Sequence, residues 1–256
     1  MPREHSTKDI EKAIRKLGRP PRPQNFVRNV NDSIEKTAKS LVGLALGFPT
    51  VTYAAGTKIV KDCIDLNLDA STALNAATTK GAAASRVHNS HYVSAFLEER
   101  DSLGLVGRKS FDQFVSPYRV SADVQLPVQP LTVLLDSGRF RTVSVVGWTN
   151  VPFDDFKWRL YFSILEDAVF SLEDFEDARG VFYAFPRSKK TDPKSRSALV
   201  AERGDFKLFS SSDLKEIMDN YVKALELAKE ILRAKPVVDP EPPRLPRPDL
   251  PLFDFL

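Results

Sequence analysis

Pro130–Asn150 reads PLTVLLDSGRFRTVSVVGWTN. Leu131 to Leu135 is a short apolar run, and Phe140 to Trp148, FRTVSVVGW, is a second. Asp136-Ser137-Gly138-Arg139 lies between them and combines residues that favour tight turns, so the stretch predicts a β-hairpin. Upstream, Tyr118 to Leu126, YRVSADVQL, alternates apolar and polar residues and predicts a third antiparallel strand of the same meander. Downstream, Phe153 to Phe170 is apolar nearly all round, the pattern of a buried helix. Gly180 to Pro186, GVFYAFP, predicts a further strand, and Asp205 to Phe209 a short one.

Helical periodicity surrounds this core. Residues 32–46 place Ile34, Ala38, Leu41, Val42 and Ala45 at helical spacing behind a cap at Asp32 or Ser33. Shorter helices are predicted over Thr57–Leu66 and Ser71–Ala77, the second capped by Asp69 or Ser71. Ala82–Glu99 carries Val87, Tyr92, Val93, Phe96 and Leu97 as its heavy face. A last helix, capped at Ser212, aligns Leu214, Ile217, Tyr221, Leu225, Ala228 and Leu232. The expected class is α/β: a central mixed sheet flanked by helices, with an N-terminal helical region. Residues 31–235 form one domain, helical over 31–100 and sheet-containing over 115–235. Residues 1–30 read as a basic arm, with eight Lys/Arg against three acids and with Pro20, Pro21 and Pro23 opposing a helix. Residues 236–256 read as an extended tail, because seven prolines fall between 236 and 251.

Composition excludes several classes. The 256 residues contain one Cys and three His, so an internal disulfide and a Cys-only metal site are excluded, and His5, His88 and His91 leave little room for a multi-histidine centre. The basic first residues lack an apolar core of the kind a secretory signal needs, and no run reaches the length of a membrane span. The expectation is an intracellular protein, cytoplasmic or otherwise, with no membrane partner and no cofactor.

The order helix, strand, strand, turn, strand, buried helix, strand resembles the RecB-like nucleases of the PD-(D/E)XK superfamily, over about residues 75–235. The resemblance implies a restriction-endonuclease-like sheet and a catalytic hairpin at Pro130–Asn150. One strand of that hairpin would carry an Asp and the next a D/E-x-K triplet, followed by a helix with Q-x-x-x-Y. Upstream the family carries G-x-x-x-H. In this sequence Gly81, Pro130 and Tyr161 match. Leu131 stands at the first Asp position, Gly147 at the Asp/Glu position, Thr149 at the Lys position, Ser85 at the His position and Lys157 at the Gln position. Those carboxylates would hold a divalent metal that activates water and neutralises phosphate charge. Leu, Gly and Thr supply none of this, and the single Cys also excludes the four-Cys cluster of some members. The resemblance therefore implies a nuclease fold without its hydrolytic site, serving as a DNA-binding or assembly subunit in DNA processing, repair or defence. Two alternatives stay open. One is a protein-binding component of a larger assembly. The other is an active metal-dependent nuclease with a site moved to Glu98, Asp123 or Asp136.

Charge adds candidate contacts. RSKKTDPKSR (187–196) reads as an exposed hairpin loop turning at Asp192-Pro193, and Arg187, Lys189, Lys190, Lys194 and Arg196 are candidate phosphate ligands. Residues 154–177 oppose it with eight acids against two bases. At the C-terminus, Asp249-Leu250-Pro251-Leu252-Phe253 resembles the peptide that docks on bacterial sliding clamps. Leu250, Leu252 and Phe253 are its candidate anchors, on this or another partner protein.

Overall fold

The computed structural model describes residues 5–19, 21–47, 51–105, 109–111, 114–189 and 191–236. Eight helices and a five-stranded mixed sheet form an α/β fold among these residues. In chain order the helices are α1 (Thr7–Leu17), α2 (Pro23–Asn29), α3 (Ile34–Leu46), α4 (Ala54–Asp65), α5 (Ala70–Thr79), α6 (Ala83–Glu99), α7 (Asp155–Leu165) and α8 (Ser211–Arg233). The strands are β1 (Lys109–Phe111), β2 (Ser116–Arg119), β3 (Gln125–Val128), β4 (Thr132–Asp136), β5 (Arg139–Val146), β6 (Arg179–Ala184), β7 (Arg187–Lys189), β8 (Asp192–Arg196) and β9 (Leu199–Glu202). None of the described helices is long and apolar enough to cross a membrane.

The main sheet runs β1-β4-β5-β6-β9. The β4–β5 hairpin forms where the sequence predicts it, with Asp136 opposite Arg139. Ser137 (φ 52°) and Gly138 (φ 80°) both take the left-handed conformation of a tight two-residue hairpin turn. β5 then pairs parallel with β6, and α7 makes the crossover between them. The pleat divides the core in two. Leu134, Val143, Val145, Val181 and Tyr183 pack with residues of α4, α5 and α6. Val133, Val146, Phe182 and Ala184 pack on the opposite face with residues of α1, α2, α3, α7 and α8.

Three expectations are corrected. The alternation Tyr118–Leu126 is not one strand of the meander. The Ser121 hydroxyl accepts from the amides of Asp123 and Val124, and the chain folds back so that β2 pairs with β3 in a separate two-stranded sheet. The neighbour of β4 is instead the short edge strand β1. Asp205–Phe209 forms no strand. The last strand is β9, and Glu202 closes the turn after it by donating its amide to Asp205 (2.7 Å). Residues 1–30 are not a free arm over their described part. Ile10, Ala13 and Leu17 of α1 are buried and join the core, with α1 packed on α3 and α8. Pro23 opens α2 rather than blocking it, because the first helical position needs no amide donor.

Helix caps predict an acid-sensitive fold. Asp69 caps α5, and hydrogen bonds from Ser71 and Thr72 hold its carboxyl below the usual range. Ser210 does the same to Asp213 in the capping box of α8, and Lys36 to Asp32. A carboxyl whose pKa is lower in the folded chain binds protons more tightly when unfolded. Its contribution is therefore complete above the unfolded value, about 3.9, and is lost as pH falls below it. Urea midpoints are expected to fall modestly as pH drops below about 4, because all three carboxyls are exposed and screened by solvent. Asp69→Asn, which still caps, should flatten that fall; an unchanged midpoint down to about pH 2.5 would refute the assignment.

A cationic cleft at the open end of the hairpin

β4 begins and β5 ends at the same end of the hairpin, where the Leu131 amide donates to the Val143 carbonyl (2.7 Å). A cleft of about 620 Å3 opens there, between α2 on one side and α4 on the other. Such a crevice, beyond the carboxyl end of a strand where the sheet changes direction, is the usual ligand position in open α/β sheets. Arg22 and Arg28 line it from the α2 side, and Lys58 and Lys61 from α4. No carboxylate lines it among the described residues. Lys61 is paired with Asp65, whose other oxygen accepts from the Thr132 hydroxyl at 2.8 Å. The first turn of α4 also forms part of the wall and adds the positive end of a twelve-residue helix.

Leu131 and Gly147 both line this cleft; Thr149 does not. The part of β5 and its extension that faces the cleft is Ser144, Val145, Val146 and Gly147, which contains neither acid nor lysine. Gly147 is a glycine by necessity. A Cβ built there would lie 2.5 Å from Cδ1 of Tyr92. The same ring would meet a Cβ at Gly56 at 2.8 Å. Tyr92 of α6 is thus wedged between α4 and the end of β5, and it occupies the space that a side chain at position 147 would need.

Of the remaining positions compared, Ser85 and Tyr161 support the cleft from behind. The Ser85 hydroxyl accepts from the Thr52 amide (3.0 Å) and Asn89 accepts from the Gly56 amide (3.1 Å), so α6 holds the start of α4 in place. Tyr161 is fully buried; burial pushes its hydroxyl pKa up, and the protonated group donates to Ser144 at 2.8 Å. Lys157 lies outside the cleft lining, near enough to Asp32 to help lower its pKa.

The basic segment forms the β7–β8 hairpin, rooted beside the cleft by the Arg187 amide on the Thr149 carbonyl (3.1 Å). Arg187, Lys189 and Lys194 are exposed; Lys190 lies outside the described residues, as do Leu250, Leu252 and Phe253. The turn precedes Asp192-Pro193, since Asp192 already pairs with Lys189 inside the ladder. Arg196 departs most from expectation. It is 9% exposed, and its guanidinium donates to the Gly147 carbonyl (3.0 Å), the Phe185 carbonyl (2.6 Å) and the Tyr53 hydroxyl (3.2 Å). It secures the hairpin to the cleft floor and is not offered to a phosphate.

The carboxylates considered as alternative site residues have structural partners or open solvent. Asp136 sits at the opposite tip of the hairpin, 3.7 Å from Arg141. Glu98 and Asp123 are exposed and away from the cleft. In the acidic segment Asp154 caps α7 and Glu166 grips Arg203 at 2.5 Å. No group of three or more His, Cys, Asp or Glu side chains is placed to hold a metal ion among the described residues. Burial pushes the Cys63 thiol up to about 11, which leaves it a poor nucleophile. Sequence reading counts Arg22 and Arg28 only within the basic arm and misses Lys58 and Lys61, because the two pairs come from segments some thirty residues apart; Gly147, a glycine closing an apolar strand, is the available sign of close approach. No family model, curated protein or solved structure matches this chain.

Proposed function

We propose that this chain is a catalytically silent, nuclease-like subunit that holds nucleic acid, DNA in the first instance, by its phosphates. The observation that carries the reading is the cleft: Arg22, Arg28 and Lys58, with Lys61 held by Asp65 beside them, and no lining carboxylate among the described residues, at the end of the hairpin where Leu131 and Gly147 stand. Clustered Lys and Arg release counterions from a phosphate backbone, so binding is driven without sequence readout. The restriction-endonuclease-like reading is supported by the order α6, β1, β4, β5, α7, β6, with antiparallel neighbours β1–β4–β5 and a parallel β5–β6 pair. Arg187, Lys189 and Lys194 extend the positive surface from the cleft along the hairpin. Leu250, Leu252 and Phe253 are proposed to dock on a partner protein, with a sliding clamp as the first candidate to test.

Filter binding of DNA at about 50 and 200 mM salt tests the reading. The logarithm of the binding constant is expected to fall linearly with the logarithm of salt, and Arg28→Ala and Lys58→Ala should each reduce the slope by about 1. No retained DNA at the lower salt would move the assignment to a protein-binding component. Cleavage in Mg²⁺ or Mn²⁺ would refute the silent site.

A further inference from the structure

We infer that the cleft takes a single-stranded nucleic acid, with a base stacked on the Trp148 ring and the adjoining phosphates held by Arg22, Arg28 and Lys58. This rests on the nucleic-acid reading above and adds to it the kind of strand and the group that grips it. Two aromatic rings, Tyr53 and Trp148, line the cleft together with Arg22, Arg28, Lys58 and Lys61. Cations interleaved with aromatic rings are the chemistry of single-strand grooves, where the charges follow the backbone and bases stack on rings.

The two tryptophans differ in what they do. Trp158 is buried and stacked on Phe206 at 5.5 Å between centroids, inside the core. Trp148 is half-buried beside the cleft and is supported by an edge contact from Phe153 at 5.8 Å. The Arg28 guanidinium lies over the Trp148 ring, 5.4 Å from its centroid. Arg28 is exposed on a long stem, so a base can enter between ring and guanidinium and be stacked on both sides. Tyr53 is less free, because Arg196 lies 5.5 Å over its ring and donates to its hydroxyl. Trp148 is therefore the principal platform.

Base exposure separates a single strand from a duplex here. About 620 Å3 is the scale of a small-ligand pocket, bounded here by α2 and α4. A duplex touches the rim with its phosphates, but its bases remain stacked on one another and do not reach Trp148. Unstacked bases do reach it.

The test uses the full chain carrying Trp158→Phe, which leaves Trp148 as its only tryptophan. At about 50 mM salt it is titrated with a dT oligomer of about twelve nucleotides, a duplex of equal length and free dTMP, followed by tryptophan fluorescence and by anisotropy of the labelled strand. The oligomer is expected to quench Trp148 and to bind about tenfold or more tightly than the duplex. Trp148→Ala should weaken oligomer binding about 5- to 150-fold with an unchanged salt slope, while Trp148→Phe retains most of the affinity. Should Trp148→Ala fail to fold, the quench and the Phe variant decide. Duplex binding as tight as the oligomer, without quenching, overturns the inference and leaves the phosphate-binding cleft standing. So does free dTMP binding as tightly as the oligomer, which would make the cleft a mononucleotide pocket. Absence of binding by either polynucleotide overturns both.

Discussion

Replacing Gly147 by Asp is expected to lower stability by about 3 kcal/mol or more and to produce no metal-dependent cleavage. A side chain at 147 begins 2.5 Å from Tyr92 Cδ1 and 2.7 Å from Cγ, and Tyr92 is fully buried. Tyr92 also contacts Phe185 and Tyr53, so it has no room to withdraw. Overpacking of this kind costs about 1–3 kcal/mol, and desolvating a carboxylate at a buried position adds to it. The steric component can be isolated with Gly147→Ala, measured by urea unfolding in the wild-type and Tyr92→Ala backgrounds. The cost of the alanine should shrink when the ring is absent, as expected for residues in direct contact. Equal costs in both backgrounds would show that Tyr92 is not the obstruction. The wedge gives a physical account of the glycine at 147: α6 packs so closely against the end of β5 that a larger residue does not fit there.

The parts of the fold that the sequence announces are those with one dominant local signal. The β4–β5 hairpin follows from two apolar runs around Ser137-Gly138, and α7 from an apolar surface that continues all round. Where two signals compete, the longer-range one decides. Tyr118–Leu126 alternates as a strand should, yet Ser121 caps a turn that reverses the chain within the alternation. α1 is rich in charge, which conceals Ile10, Ala13 and Leu17 at helical spacing on one buried face. The cleft is legible only in halves. Leu131 and Gly147 lie on the hairpin that the sequence predicts, but Arg28 and Lys58 line one cleft only because α2 and α4 lie on opposite layers of the sheet. No local pattern connects them, so their conjunction belongs to tertiary structure.

Arg196 separates a structural cation from a binding one. Among the candidate phosphate ligands it reads in sequence like Arg187 or Lys194, and in the structure it is the buried root of the β7–β8 hairpin. Arg196→Ala is expected to destabilise the chain by about 2–6 kcal/mol, because the Gly147 and Phe185 carbonyls both lose a donor and each orphaned acceptor costs about 1–3 kcal/mol. That is a large share of the roughly 5–15 kcal/mol by which a domain is stable. Arg196→Lys should recover only part, since an ammonium cannot span two carbonyls and the Tyr53 hydroxyl as the planar guanidinium does. An exposed phosphate ligand behaves in the opposite way: its removal leaves unfolding unchanged and lowers the salt slope of DNA binding by about 1. Lys194→Ala is expected to follow that second pattern and Arg196→Ala the first. Urea melts of both variants, paired with salt titrations of the folded one, decide the matter. A stable Arg196→Ala protein with a reduced slope would return the residue to the binding surface and remove the hairpin's anchor from the account.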